Sequence, residues 1–106
     1  MVFYSRQSEK DLNSIFSSLI TWKKLNLSYD HAVTYHNAIV DVCDKLDRTS
    51  YHTMCVFTLH KRYGKYVYNY RRNRNTNWYI IYNKDKNTNI YIQRIISNHI
   101  TTSDKN

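Results

Sequence analysis

Arg71, Arg72 and Arg74 fall within four positions of one another in the stretch YVYNYRRNRNTNWYIIYN, residues 66–83, where aromatics, arginines and asparagines alternate. A guanidinium holds phosphate oxygens through paired N–H donors and does not lose its proton, so this spacing suits a phosphate chain or the charge of a phosphoryl transition state. For Arg74 taken alone, ordinary surface charge on a solvated turn is the competing account. Lys61, Arg62 and Lys65 form a second basic group around the single glycine, Gly64, in HKRYGKY. They can act as point charges along a nucleic-acid backbone, adding affinity and salt dependence without sequence choice, or they can keep a hairpin tip soluble.

Tyr79 can donate a hydrogen bond to a phosphate oxygen or stack on a base, against the alternative of an amphipathic sheet tyrosine. His99, close to the C-terminus, has an ordinary pKa of about 6.5 and can serve as base or acid, against the alternative of an exposed histidine beside a frayed tail. No metal or cofactor is expected. His31 and His36 lie five apart and miss the i, i+4 spacing of a shared helical ligand pair, and His52 and His60 bracket a strand-like segment. Cys43 and Cys55 make no metal or redox spacing, and Cys43 falls on an apolar helix face as a reduced core thiol.

The elements that must position these residues follow from the hydrophobic period. Val2 to Ser5 is short and apolar, and Ser5 or Ser8 can cap the helix that follows, with Ser8 and Asp11 approximating a capping box. Leu12, Ile15, Phe16, Leu19 and Ile20 then repeat at helical spacing. After WKKLNL, a second start at Ser28 or Asp30 carries Ala32, Tyr35, Ile39, Val42, Cys43 and Leu46 on one stripe up to Asp47. From Thr53 the period becomes two. Met54–Leu59, Lys65–Arg71, Trp78–Asn83 and Ile90–Ser97 read as strands, joined at RNRNTN and KDKNTN by turn chemistry. The order β-α-α-β-β-β-β implies an α+β fold, with a helical hairpin on one face of a mainly antiparallel sheet and the first strand returning to it. The other sheet face is then a partner surface or the working surface. Alternation puts Tyr79 on that side and Tyr66, Tyr68 and Tyr70 together on one side, some of them in the core.

The 106 residues have room for one domain, read as 1–100 with TTSDKN as a disordered tail. The net charge of +8 is uneven: residues 1–47 hold five Lys/Arg against six acids, and residues 48–106 hold eleven against two. Mixed charge would serve solubility equally well, so the segregation points to a polyanion, with nucleic acid the leading class. No apolar run approaches the roughly 20 residues of a membrane span and the first residues lack a signal-peptide apolar region, so the expected location is cytoplasmic, away from membranes.

VFYSRQSEKDL, the helical hairpin, and then YxxNYRR, WYIIYN and IYIQRIISNHI are similar to the RelE/ParE family of bacterial toxins of toxin–antitoxin pairs, over essentially the whole chain. The resemblance implies a RelE-like fold and a metal-independent, ribosome-dependent endoribonuclease that cuts mRNA by attack of the 2′-hydroxyl on the adjacent phosphate. It also implies an acidic antitoxin as partner, in a homodimer or a toxin–antitoxin hetero-oligomer. Residue by residue, Arg71, with Arg72 adjacent, matches the family's phosphate-contacting basic residue. Asn98-His99 matches a catalytic histidine ending, and Tyr79 stands where several members carry a catalytic arginine. The ParE branch of the family poisons DNA gyrase without nuclease activity, and a non-catalytic basic RNA-binding module is the reading outside the family.

Overall fold

The computed structural model describes residues 1–21 and 29–98. The chain runs β1 (Val2–Tyr4), α1 (Arg6–Thr21), α2 (Tyr29–Asp44), a 3-10 turn (Leu46–Arg48), β2 (Thr53–Met54), α3 (Thr58–Lys61), β3 (Tyr66–Arg71), β4 (Asn77–Lys84) and β5 (Ile90–Ser97). Among the described residues the five strands form one sheet in the order β1-β5-β4-β3-β2. β1 runs parallel to β5 and the other neighbours are antiparallel. The architecture is α+β, with the first strand returned to the sheet beside the last. The expected tail at 101–106 lies outside the described residues, and no described helix is long and apolar enough to cross a membrane.

The join between α1 and the sheet depends on where β1 stops. Past Tyr4 the outer side of β5 has no strand neighbour, and its backbone groups need other partners. The start of α1 supplies them. Ser5 N donates to Ile92 O at 2.9 Å, and the Ser5 hydroxyl donates to Gln93 O at 3.0 Å. That same hydroxyl accepts the Ser8 N–H at 3.0 Å, so Ser5 is the cap of α1, while buried Ser8 turns its own hydroxyl back onto Ser5 O. Asp11 is not a capping-box partner. Its Oδ2 accepts from Ile95 N at 2.9 Å and from Arg94 Nε at 2.8 Å. Ile81 pairs with Arg94 and Tyr82 with Ile92, leaving Gln93 as the extra residue of a bulge, so that Ile92 and Ile95 both enter the helix-side core.

That core joins Leu12, Ile15 and Leu19 of α1, Ala32, Ile39 and Cys43 of α2, Leu46 of the 3-10 turn, and Ile80, Tyr82, Ile90, Ile92 and Ile95 of the sheet. Of the stripes expected on the two helices, Leu12, Ile15 and Leu19 and then Ala32, Ile39 and Cys43 are buried and Phe16, Tyr35 and Val42 partly so, although α2 ends at Asp44 and Leu46 continues its stripe from the 3-10 turn. Phe16 sets its ring edge-on to Tyr29 and His36, locking the end of α1 to the first half of α2. Tyr82 is buried among apolar side chains but shares a 2.8 Å hydrogen bond with His52 Nδ1.

The segment after β2 departs from expectation. Met54–Leu59 is not a continuous strand: only Thr53 and Met54 pair with β3, and the chain then turns into α3. A short apolar run does not separate strand from helix by composition. What decides it is Cys55, Leu59 and Tyr63, spaced by four, which bring one apolar side down onto Ile81, Ile96, Val67 and Tyr79. The sheet face away from α1 and α2 is therefore partly roofed by the chain itself. Gly64 lets this roof close, because a Cβ there would stand 3.0 Å from Ile81 Cγ2 and 3.1 Å from Tyr82 O.

Two consequences can be measured by urea unfolding. Gly64→Ala is expected to lower stability by about 1–3 kcal/mol through overpacking against β4, and an unchanged midpoint would mean that the roof yields freely. Asp11→Ala strands a guanidinium and a backbone N–H and is expected to cost about 1.5–3 kcal/mol. A loss no larger than that of an exposed Asp41→Ala control would remove Asp11 from this role.

Candidate nucleic-acid interface

Not one acid occurs between Asp47 and Asp85, while eight Lys/Arg do. The fold gathers seven of these into two groups at opposite ends of the β3–β4 hairpin. Lys65 and Arg71 are separated by the length of β3, roughly 20 Å at about 3.3 Å per residue.

At the first end the turn is built from asparagines. Arg72 N and Asn73 N both donate to Thr76 O, at 2.9 and 3.3 Å, and Asn75 N donates to Asn73 Oδ1 at 2.9 Å, a side chain replacing a backbone acceptor. Asn98, just past β5, ties the turn to the sheet: its Oδ1 accepts Asn77 N at 3.0 Å and its Nδ2 donates to Asn75 O at 3.2 Å. Arg71 pairs with Asn77 across the hairpin and is exposed. It lies on the same side of β3 as Val67 and Asn69, and Asn69 faces Tyr79 directly. Arg72 goes the other way. Its guanidinium lies over the Tyr35 ring of α2, 4.4 Å from the centroid, and Nη1 donates to Tyr70 Oη at 3.4 Å. Trp78 Nε1 donates to Tyr35 Oη at 2.9 Å and fixes that ring. Arg74 is exposed in the turn.

The residues read from the sequence as sharing one open face with His99 are Arg71, Arg72 and Tyr79; Arg71 and Tyr79 do share one side of the sheet, and Arg72 does not join them. Tyr79 is also less open than expected. Its ring lies 4.6 Å from that of His60 and 6.5 Å from that of Phe57, under the α3 segment. His99 lies outside the described residues.

At the other end Lys61, Arg62 and Lys65 border a groove of about 460 Å³ together with Met54, Cys55, Tyr63, Gly64 and Asn83. Asn83 Oδ1 accepts Lys65 N at 2.8 Å, and Lys65 and Lys84 place their ammonium groups 5.6 and 5.7 Å from the Tyr66 centroid. Lys84, Tyr35 and Asn98 are the members of these groups that sequence reasoning missed as site residues. Lys84 has a visible signal in its position at the end of a strand facing the HKRYGK turn, whereas the Arg72–Tyr35 contact joins an exposed turn to a helix distant in sequence.

No three His, Cys, Asp or Glu side chains among the described residues converge as a metal set. Both cysteines are free and buried, and burial pushes the Cys43 thiol up to about 12 and the Cys55 thiol in the same direction, which keeps them protonated and unreactive. A scan against protein-family models gives no match, and neither the curated proteins nor the solved structures include one that matches this chain.

His60 is a second buried titratable group in the roof, in addition to Cys55. It has 0 % of its surface exposed, and neither ring nitrogen has a hydrogen-bond partner. Burial lowers its pKa, so the folded protein holds a neutral imidazole where the unfolded chain takes up a proton at about 6.5. Stability from this residue is complete above about pH 6.5 and declines as pH falls from there toward the lower folded value. Denaturant midpoints are expected to drop between pH 7.5 and 5, and His60→Leu is expected to flatten that slope. A His60→Leu protein with the wild-type pH slope would assign the effect elsewhere.

Proposed function

We propose that this protein is a toxin of the RelE kind, held inactive by an acidic antitoxin, that enters the ribosome and cuts mRNA without a metal. The observation that carries the reading is the hairpin end: three arginines on an asparagine-built turn in an acid-free tract, tied through Asn98 to the end of β5. Arg71 and Arg74 face solvent, and Arg72 is held at the same turn by Tyr35. The return of the first strand beside the last, and an element order that departs from the expected one only at α3 and the shortened β2, support this reading. In this reading Arg71 holds the phosphate flanking the scissile bond, Arg72 meets the RNA backbone from the helix side of the same turn, and His99 transfers protons. The 2′-oxygen attacks phosphorus, the 5′-oxygen leaves with a proton, and a 2′,3′-cyclic phosphate and a free 5′-hydroxyl result. Lys61, Arg62 and Lys65 contribute sequence-independent attraction.

One observation favours a second reading, a gyrase poison of the ParE kind without nuclease activity. Tyr79, at the position where several nucleases of the family carry arginine, is packed against His60.

The decisive measurement is mRNA integrity in a translating extract, mapped by primer extension. Cleavage that stops in His99→Ala supports the nuclease. Intact mRNA together with inhibited supercoiling by purified gyrase supports the second reading and overturns the first. For the phosphate role, the double variant Arg71→Ala/Arg72→Ala is expected to weaken binding to single-stranded RNA and reduce the slope of log affinity against log salt by about one per arginine. An unchanged slope removes both from the phosphate contact.

A further inference from the structure

Among the described residues β2 is one of the two edge strands of the sheet, opposite β1, and is two residues long. Met54 pairs with Tyr66, and the next residue donates from Cys55 N to Lys65 O at 2.9 Å. By antiparallel alternation the N–H and C=O of Met54 then face away from β3, toward the open side. Large apolar side chains gather on this short segment and stand in solvent: Tyr51 is 80 % exposed, Met54 58 %, Val56 73 % and Phe57 51 %. Beside them lies the groove bordered by Lys61, Arg62 and Lys65. Among the described residues none of these three cations is in an ion pair.

We infer that the free edge of β2, with the adjoining groove, is a docking surface for an acidic peptide that adds to the sheet as a strand. Main-chain hydrogen bonds at Met54 provide the pairing, and alternate apolar side chains of the peptide cover Met54, Val56 and Phe57. Its carboxylates meet Lys61, Arg62 and Lys65, where no acid of this chain competes within residues 48–84. Charge selects the occupant. A second copy would bring an equally basic edge and be repelled, which is how short, cationic edge strands avoid self-pairing. A nucleic acid would satisfy the cations but leave Met54 and Val56 uncovered, since neither offers a flat face to a base. As the seat of the acidic partner, the surface rests on the toxin reading for its biological meaning, but its physical test does not use nuclease activity.

The test is a display selection of short random peptides against the full chain, followed by fluorescence anisotropy and amide chemical-shift mapping with the selected peptides. The expected peptides alternate Asp or Glu with apolar residues and shift the amides of residues 53–57 and 61–65. Val56→Asp, and separately Lys61→Glu/Arg62→Glu, are expected to weaken them by about tenfold or more, with far-UV circular dichroism unchanged. Arg71→Ala/Arg72→Ala is expected to leave peptide affinity unaltered. A selection that yields no binder, or only neutral or basic ones, overturns the inference, as does a peptide indifferent to Val56→Asp. Mapping of a single-stranded RNA oligonucleotide to residues 53–57 would make this edge an RNA surface instead, and concentration-dependent dimerisation through it would make it a self-interface. Loss of mRNA cleavage with retained peptide binding would overturn the nuclease and leave this surface standing.

Discussion

One carboxylate oxygen, Asp11 Oδ2, connects the parts of this fold. It receives the Arg94 guanidinium and the Ile95 N–H, so a helix side chain takes the place of a strand along β5 after β1 has ended. The Arg94 guanidinium also lies over the Tyr63 ring, 4.6 Å from its centroid, on the segment that roofs the opposite face. Asp11 thereby links the helix-side core to the smaller core around Cys55, Ile81 and Ile96 through a single arginine. With Arg94 and Asp11 both largely withdrawn from water, the interaction works at a lower effective dielectric than an exposed pair, and it acts with a backbone hydrogen bond on the same oxygen.

The two cores differ in what they ask of the chain. On the helix side, long amphipathic elements cover the sheet, and burial of isoleucines from β4 and β5 organises everything else. On the other side, one four-residue helical turn and its flanks perform the same task, pressed close to β4 by a glycine. This roof places a neutral histidine against Tyr79 and separates the sheet into a covered middle and two basic ends. The charge asymmetry of the sequence thus becomes a spatial one: a guanidinium-rich turn at one end of the hairpin, and an ammonium-rich groove with exposed apolar neighbours at the other.

Much of this architecture is legible in the residues. The stripes of α1 and α2 and the strands β3, β4 and β5 carry strong periods, and asparagine-rich turns mark the hairpin loops even with almost no glycine. The 53–61 segment was not legible as a strand or a helix, because its apolar run is short and the spacing of Cys55, Leu59 and Tyr63 gains meaning only once the exposed sheet face is known. The role of Asp11 was hidden for a related reason: its partner group exists only because β1 stops early. At the candidate site, the division of Arg71 from Tyr79's alternation partners was readable, since β-strand faces follow from counting. The turn of Arg72 toward α2 was not, because alternation ends where β3 ends and the contact depends on tertiary placement of Tyr35.

Arg72 and Arg94 are both held over tyrosine rings, but only Arg94 also faces a carboxylate. An arginine fixed by a carboxylate is neutralised as it is ordered. One fixed by an aromatic face loses rotamer freedom in advance and keeps its whole charge for whatever arrives. For any anion that meets the hairpin end, part of the ordering entropy of its capture would already be met in the free protein, with the positive charge there undiminished.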